Sequence, residues 1–347
     1  MRRLLVVSET LAGGLGALVR LQAEWFSSQR WGVIVAAPAD GPPPSAPTVW
    51  VEQPAVSSAR RVGEMARARR ALRDLRVLVD ADTVVHIHGL RPILVARLAG
   101  LPTPFVSVHG AHPDSDDPPG YAQLRRAWLR LVPRVAARAS TGEPGYPAPW
   151  VYEPYASPAL RALDVLPFPE AGLPVVAWLG LLDHRKQPEI FVRAVAEATR
   201  RGASLRGLLG GQGERAEEIA ALIAQLDAPI DMLGQADAAD VLRQAWALAL
   251  FARSEGTPLA VMEAMWTGRS VVGSPVPGIE WLVGHTGDIA GTVDAAADAF
   301  VRIAADRDAT RQRGLVAAER VRTLVGPWTP WDTLEPIYDA YLAGRRR

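Results

Sequence analysis

The sequence predicts an α/β protein with two domains, and three observations support this fold class. Short apolar runs of strand length alternate with helical patterns, which is typical of parallel sheets covered by helices. The 347 residues are enough for two domains of ordinary size. A proline-rich stretch without periodicity, Tyr152–Gly172, lies near the middle. We therefore predict a first domain over 1–155, a linker over 156–172 and a second domain over 173–330.

Apolar runs bounded by turn residues define the strands of both predicted sheets. In the first domain the predicted strands are Leu4–Ser8, Gly32–Ala37, Thr48–Glu52, Val84–His88, Phe105–Val108 and Ala137–Thr141. In the second they are Val175–Gly180, Ser204–Gly210, Ile230–Leu233, Ala247–Phe251 and Ser270–Gly273. The run Gly-Pro-Trp-Thr-Pro-Trp then breaks the chain before a last helix, predicted at about Asp332–Gly344.

Composition restricts the chemistry that the chain can perform. The chain is 49% hydrophobic and 22% charged, which fits a globular protein that does not span a membrane. It has no cysteine, which excludes disulfides, Cys-ligated zinc and thiol nucleophiles. Glu9 interrupts the first apolar run, so we expect no signal peptide and a cytoplasmic protein. Lys186 is the only lysine among 38 basic residues, which suggests that a compact point charge is required there.

The segment from Ser254 to Gly268 carries the strongest functional signal. It follows a predicted buried strand and starts a helix, with a predicted N-cap at Thr257 and Pro258 in the first turn. The free N–H groups of such a turn favour a phosphate. Glu255 and Glu263, at most about 12 Å apart along a helix, would repel a phosphate and instead accept hydrogen bonds from hydroxyls on either side of it. Surface glutamates at a chance spacing are the alternative.

At this point the chain resembles a known family. The motifs Ser254–Leu259, Glu263–Met265, Val271–Ser274 and Gly278–Val283, with Gly268 between them, are similar to the signature of retaining glycosyltransferases of family 4. The resemblance implies the GT-B fold, in which two Rossmann-like, doubly wound domains face a central cleft. It also implies that a C-terminal helix, here 331–347, crosses back onto the first domain.

The resemblance assigns roles to residues of the second domain. Glu263 would hold the ribose hydroxyls of a nucleotide sugar, and Glu255 the hydroxyls of its hexose. Lys186 would neutralise the diphosphate. The residues expected to bind the donor beside them are Gly256, Thr257, Pro258 and Leu259.

Two departures from the family pattern lie next to Lys186. Leu181 stands where the family usually has an arginine, and Gln187 replaces the usual glycine. Arg185 lies nearby as a possible substitute for that arginine. The turn Gly210–Glu214, with Gly211 at its centre, resembles the glycine loop beside the nucleotide, but a plain tight turn explains it equally well.

The first domain adds further candidates. Gly13 and Gly14 follow the first strand, where the resemblance places a double-glycine loop over the donor diphosphate. His109 ends a strand at the position of the family's active-site histidine; a histidine with an ordinary structural role is the alternative. We expect His86 and His88 to alternate faces of a buried strand and not to share a ligand, with His88 lining the cleft and His86 structural.

The sequence indicates no metal site and no cofactor other than the nucleotide-sugar co-substrate. The acidic run Asp114–Asp117 lies among prolines, so we interpret it as a solvated loop on the acceptor side. Two basic helical segments of the first domain could bind an anionic membrane or simply be solvated, and no base-reading motif indicates nucleic acid. Their arginines are Arg60, Arg61, Arg67, Arg69, Arg70, Arg73 and Arg76, and Arg125, Arg126, Arg130, Arg134 and Arg138.

These observations predict a retaining glycosyltransferase that moves a hexose-type sugar from a nucleoside diphosphate to an acceptor hydroxyl. The acceptor would be a glycan or lipid-linked sugar, in polysaccharide or glycolipid assembly. A peripheral position of the enzyme on the inner face of the cell membrane stays open. Two alternatives stay open: a catalytically degenerate nucleotide-sugar-binding partner protein, which Leu181 favours, and a GT-B sugar-nucleotide epimerase.

Overall fold

The chain forms two compact units in a computed structural model. One unit comprises Met1–Tyr155 with Trp328–Arg347, and the other comprises Ala156–Pro327. The structure describes residues 1–11, 13–51, 61–89, 91–102, 105–107, 138–139, 150–151, 163–326 and 330–345.

A parallel sheet forms the centre of the first unit. Its order, in the described part of the chain, is β3-β2-β1-β4-β5. The strands are β1 (Arg3–Ser8), β2 (Gly32–Ala37), β3 (Thr48–Trp50), β4 (Thr83–His88) and β5 (Phe105–Ser107). A separate parallel pair consists of β6 (Arg138–Ala139) and β7 (Trp150–Val151). The helices are α1 (Gly13–Ser28), α2 (Arg61–Asp74), α3 (Arg91–Leu98) and, at the C-terminus, α11 (Pro330–Arg345), with a 3₁₀ turn at Leu75–Leu78.

The second unit repeats this architecture around a sheet of order β10-β9-β8-β11-β12-β13, again with parallel pairing. Its strands are β8 (Val175–Leu179), β9 (Arg206–Gly210), β10 (Ile230–Gly234), β11 (Ala247–Leu250), β12 (Ser270–Gly273) and β13 (Asp288–Ile289). Its helices are α4 (Pro188–Arg200), α5 (Ala216–Gln225), α6 (Ala238–Gln244), α7 (Leu259–Trp266), α8 (Pro277–Val283), α9 (Val293–Ala305) and α10 (Arg307–Val325).

Residue patterns explain why these elements form. Every residue of β4, β8 and β11 is buried, as expected for strands covered by helices on both faces. On α4 the buried positions Phe191, Val192, Val195 and Ala198 follow helical spacing and form one apolar stripe. The class predicted from the sequence, α/β with parallel sheets, is therefore confirmed.

Several predicted boundaries are wrong by one or two residues. Strand β3 ends at Trp50, before the predicted Glu52, which lies outside the described residues. The predicted strand at Ser204 begins at Arg206, and Gly180 and Phe251 follow their strands rather than ending them. Of the predicted strand Ala137–Thr141 only Arg138–Ala139 is described.

The C-terminal helix α11 packs onto the first unit. Its residues Trp331, Leu334, Tyr338 and Leu342 belong to the same buried cluster as β1 and α1. Glu335 accepts a hydrogen bond from the Trp31 indole at 2.9 Å. Trp331 lies inside the first turn of this helix, whereas the sequence suggested that it precedes the helix.

The described part of the predicted linker is bound to the second unit rather than free. Leu163 accepts a hydrogen bond at 3.1 Å from the indole of Trp266, at the end of α7. The fully buried Arg269 donates to the Leu166 and Pro167 carbonyls at 3.2 and 2.8 Å. Burial lowers the pKa of Arg269 to about 10. The described residues 163–172 of the predicted linker therefore belong to the second unit.

Candidate functional site

The predicted site residues of the second unit follow two adjacent strands. From β8 the chain runs outward to β9 and β10 on one side, while β11, β12 and β13 fill the other side. Strand order thus reverses between β8 and β11. In open parallel sheets, ligands bind at this point, beyond the carboxyl ends of the strands. Lys186 lies in the loop after β8, and Glu255 lies in the loop after β11.

An ion cluster joins these two loops. The Lys186 ammonium lies 2.6 Å from Oε1 of Glu255, and the Arg185 guanidinium lies 2.6 Å from the same oxygen. Glu255 and Lys186 are nearly buried, with 8% and 13% of their side chains exposed, whereas 45% of the Arg185 side chain is exposed. One carboxylate oxygen thus contacts two cations. The Asp183 carboxylate lies 4.0 Å from the Arg185 guanidinium, so the cluster contains two positive and two negative groups.

Backbone contacts fix the loop that carries these cations. Asp183 accepts a hydrogen bond from the Lys186 amide at 2.7 Å. The Arg185 carbonyl accepts one from the Arg253 amide at 2.9 Å, which ties this loop to the loop after β11. Gln187, the N-cap of α4, has φ 44° and ψ 51°. It thus holds the left-handed conformation that a glycine would adopt without strain.

The glycines of the turn after β9 are required for packing. A Cβ on Gly211, whose φ is +150°, would lie 1.8 Å from the Gly180 carbonyl oxygen. A Cβ on Gly213 would lie 2.3 Å from the Leu182 carbonyl oxygen. The turn therefore lies directly against the loop after β8, and this contact accounts for the glycine pattern without a ligand. A role of Gly211 beside a nucleotide stays a prediction.

Helix α7 starts one residue later than predicted. Pro258, with ψ 115°, is its N-cap, so the predicted N-cap at Thr257 is wrong. The first amide to bond back is that of Met262, which donates to the Pro258 carbonyl at 3.1 Å. The amides of Leu259, Ala260 and Val261 meet no acceptor among the residues that the structure describes. Three donors at the positive end of the helix dipole are thus available.

The loop from Glu255 to Thr257 rests on the start of α8. A Cβ on Gly278 would lie 1.6 Å from the Gly256 carbonyl oxygen and 2.4 Å from that of Glu255. Only a glycine at 278 allows this approach. The close contact of Gly278 with the carbonyls of Glu255 and Gly256 thus helps to fix the position of this loop.

Glu263 lies on α7, partly buried, and its carboxylate has no ion pair or side-chain hydrogen bond within the described ranges. Burial, and then the nearby charge of Asp237, raise its pKa to about 7. An unpaired carboxylate in such surroundings is stabilised by hydrogen-bond donors that a ligand brings.

In the first unit, the two glycines predicted to contact the donor lie after a strand. Gly13 and Gly14 form the start of α1, which follows β1. Asp40, which the sequence analysis did not single out, holds the preceding turn through the Leu11 amide at 2.7 Å and the Thr10 hydroxyl at 2.5 Å. His109 lies outside the described residues, so its predicted role is untested.

The expectation for His86 and His88 is wrong. Residues two apart on a strand face the same side of the sheet. Their rings stack at 4.4 Å, and both histidines bond to the Gln22 amide. His86 also bonds to Ser107 and Tyr338. All five side chains are buried, so His88 belongs to a polar network inside the unit together with His86.

Sequence reasoning missed the supporting contacts around the candidate site. Asp183 and Asp40 each accept a hydrogen bond from a backbone N–H. Gly278 belongs to one of the resembled motifs, but its role, which is to leave room for a carbonyl, was not predicted. Glycine at the first turn of a helix is a weak signal, because its need depends on a segment distant in sequence.

The described residues contain no cluster of three or more His, Asp or Glu side chains that could hold a metal ion. No helix in this part of the chain is long and apolar enough to cross a membrane. Asp114–Asp117 and the arginines between 125 and 134 lie outside it.

Comparison with known proteins gives a family and relatives. Residues 173–306 match the family model described as Glycosyl transferases group 1. The D-inositol 3-phosphate glycosyltransferase of Nocardia farcinica (strain IFM 10152) is 30% identical over 271 residues, which are 72% of this chain and 50% of that protein. The chain thus spans about half the length of this curated relative.

Solved structures match nearly the whole chain. Sucrose-phosphate synthase from Thermosynechococcus elongatus gives a TM-score of 0.75 at 17% identity, covering 99% of this chain and 100% of that one. Anabaena Alr3699/HepE in complex with UDP-glucose gives a TM-score of 0.70 at 16% identity, covering 99% of both chains. These matches confirm the GT-B architecture of two Rossmann-like units.

Proposed function

Because the chain carries a glycosyl transferases group 1 domain at residues 173–306, we propose that it is a retaining glycosyltransferase. It moves a hexose-type sugar from a nucleoside diphosphate sugar to an acceptor hydroxyl. The observation that carries this proposal is the juxtaposition of Lys186 and Glu255 where strand order reverses, beside α7 with its three available amides.

Charge and hydrogen-bond donors support a diphosphate at this place. The Lys186 ammonium supplies a positive charge that is largely shielded from water. The amides of Leu259, Ala260 and Val261 supply neutral donors and the positive end of a helix dipole. In the proposed reaction these groups stabilise the diphosphate as its charge develops.

The two glutamates support a polyol on each side of that diphosphate. Glu255, once released from one of its cations, accepts hydrogen bonds from the hexose hydroxyls. Glu263 accepts them from the ribose, and its unpaired carboxylate gains the donors it lacks. The remaining predicted contacts, from Gly13, Gly14, Gly211, Gly256, Thr257 and Pro258, and the positioning of the sugar by His109, belong to the same proposal.

The proposed reaction retains the anomeric configuration. The bond between the sugar C1 and the diphosphate oxygen breaks, and the acceptor oxygen bonds to C1 from the same face. The acceptor proton passes to the leaving phosphate oxygen, so that no enzyme carboxylate acts as nucleophile. No metal takes part in the proposed reaction, because Lys186 and the helix amides neutralise the diphosphate instead.

The proposed donor class follows from the charges and hydrogen-bond donors of the site and from one similar solved structure. The Anabaena protein was solved with UDP-glucose, so UDP-hexoses are the first donors to test. A thermal-shift panel of UDP-, GDP-, ADP- and dTDP-sugars identifies the donor, because ligand binding to the folded state raises the melting temperature. The acceptor in the proposal is a growing polysaccharide or a glycolipid.

A basic surface in the first unit supports peripheral membrane contact. The exposed arginines Arg69, Arg70, Arg73 and Arg76 adjoin Val77 and Leu78, which are 84% and 37% exposed. Such a surface favours anionic headgroups. Flotation with vesicles of phosphatidylglycerol should retain the protein and vesicles of phosphatidylcholine should not; equal binding to both would refute this part of the proposal.

The proposal is tested by transfer of a labelled sugar from the donor that the panel selects. Lys186→Ala should lower turnover at least about 100-fold, because one electrostatic contact to the developing charge is lost. Arg200→Ala is the control, since Arg200 is exposed and pairs with Glu197 on α4. A folded Lys186→Ala protein with wild-type turnover would refute the assignment.

A second candidate function is a nucleotide-sugar-binding protein without catalysis. Leu181, 42% exposed at the position where an arginine is usual in the resembled family, favours it. The same assay separates the two functions. Donor binding without hydrolysis or transfer across many acceptors indicates the binding protein, whereas release of an altered sugar without acceptor indicates an epimerase.

A further inference from the structure

The loop after β8 carries two cations, Lys186 and Arg185. Only Lys186 has been assigned to the diphosphate above, so Arg185 has no role yet in the proposed donor site. Lys186 is nearly buried and has Glu255 as its partner. Arg185 meets the same carboxylate oxygen from a more exposed position and also donates to the Ser254 carbonyl at 3.2 Å. Two positive groups therefore share one oxygen of Glu255, and the Asp183 carboxylate lies farther from the Arg185 guanidinium, at 4.0 Å.

Neighbouring contacts fix the backbone of Arg185 but leave its guanidinium accessible. Its carbonyl is held by the Arg253 amide, and the residues on either side of the turn are held by Asp183 and by the left-handed backbone of Gln187. The guanidinium, in contrast, is bound by exchangeable polar contacts and 45% of the side chain is exposed. The geometry allows the planar head to turn toward an anion without a change in the backbone.

We propose that Arg185 is the second cation of the diphosphate site and that it occupies Glu255 only until the donor binds. This inference rests on the proposed function and adds a binding residue to it. When the diphosphate arrives, Arg185 moves from the carboxylate to the phosphate oxygens, for which its forked donors are suited. Glu255 is then free to accept the hexose hydroxyls. Leu181 is uncharged and takes no part in the charge balance.

The movement of Arg185 from Glu255 to the phosphate oxygens is favourable for a diphosphate but not for a ligand with a single negative charge. Glu255 contacts both cations directly, and Asp183 lies 4.0 Å from Arg185. A diphosphate brings about two negative charges and contacts both cations at once, which compensates for the ion pairs to Glu255 that it breaks. Glu255 is thus released to the sugar only when a diphosphate takes its place beside the two cations.

The test is isothermal titration with free UDP, GDP, ADP and dTDP, followed by the tightest of these nucleotides with variants. Arg185→Ala should weaken binding about tenfold, as expected for loss of a charge-assisted contact. Adding Leu181→Arg to Arg185→Ala should restore binding to within about threefold of wild type. Lys186→Ala should also weaken it, and Arg200→Ala should not.

The pattern of losses separates the inference from the proposed function. If Lys186→Ala weakens nucleotide binding while Arg185→Ala binds as wild type does, the role of Arg185 is refuted and the proposed function stands. If binding falls in Arg185→Ala but Leu181→Arg brings no recovery in a folded protein, a second cation at this place is refuted. If the wild-type protein binds none of the four nucleotides, both proposals fail.

Discussion

The carboxylate of Glu255 holds two cations in the absence of donor, and this makes a specific prediction for free nucleotides. Glu255→Gln should bind free nucleoside diphosphate roughly fivefold more tightly, about 1 kcal/mol, because the Glu255 carboxylate no longer competes for Lys186 and Arg185. The same variant should transfer sugar at least about tenfold more slowly, because an amide accepts the hexose hydroxyls less strongly than a carboxylate.

Titration calorimetry with UDP or the nucleotide selected above measures the first effect. Glu197→Gln is the matched control, since Glu197 also binds two arginines but lies on α4, away from the site. Weaker nucleotide binding in Glu255→Gln would mean that the carboxylate supports the diphosphate rather than competing with it.

Glu263 gives a pH dependence whose sign follows from its raised pKa. The folded-state pKa is about 7, against 4.5 for the free side chain. The folded protein therefore binds more protons between these values, and the contribution of Glu263 to stability, largest below about pH 4.5, is lost as pH rises through about 7. Glu263→Gln should thus gain about 1–3 kcal/mol over wild type between pH 5 and pH 8.

Denaturant unfolding followed by tryptophan fluorescence at pH 5 and pH 8 compares the two proteins. Saturating donor should narrow the difference, because ribose hydroxyls stabilise the ionised carboxylate. A difference that is the same at both pH values would show that Glu263 is not held in its protonated form.

Among the elements, helix α8 contacts the loop that carries Glu255 through one glycine, Gly278. Gly278→Ala places a methyl group 1.6 Å from the Gly256 carbonyl oxygen, so either the helix or the loop must move. We expect a loss of about 3 kcal/mol in stability and weaker donor binding, because backbone cannot relax as a side chain does.

Gly344→Ala is the control for that substitution. It lies in α11, where a Cβ meets nothing within 4 Å, so it should be neutral or slightly stabilising. Melting temperatures of the two variants, with and without donor, measure the effect. A Gly278→Ala protein as stable as Gly344→Ala would show that the loop does not rest on α8.

The predicted bounds of an element agree with the structure where the local pattern of apolar residues determines them. The strands Gly32–Ala37 and Ser270–Gly273 have the predicted bounds, because each is a buried apolar run between glycines or polar residues. The start of α7 is displaced because the extended ψ of Pro258 makes that residue the N-cap. Proline at this position is compatible with either assignment, and the sequence does not distinguish them.

The site was predictable in its residue types but not in its contacts. Lys186 and Glu255 follow adjacent strands, so their proximity follows from the order of the sheet. The reach of Arg185 depends on side-chain rotamers and on a left-handed Gln187, neither of which a sequence pattern specifies. His86 and His88 were misplaced because the two-residue period of a strand was applied wrongly, not because the pattern was ambiguous.

For the whole molecule, the division into two units could be predicted from the length and from the proline-rich middle of the chain. The binding of the segment between the units to the second unit could not be predicted from the sequence. Leu163, Leu166 and Pro167 bind to the end of α7 and to Arg269 through main-chain carbonyls and amides. Backbone groups carry no sequence signal. The segment after the first unit is thereby fixed to the same helix whose other end carries the proposed diphosphate site.

The most direct measurement of the central claim is a crystal structure of the protein with the sugar nucleotide that raises its melting temperature most. The account predicts the diphosphate against the amides of Leu259, Ala260 and Val261, with Lys186 on its oxygens and Glu255 turned to the hexose. A diphosphate bound elsewhere in the molecule, with Lys186 still paired to Glu255, would contradict it.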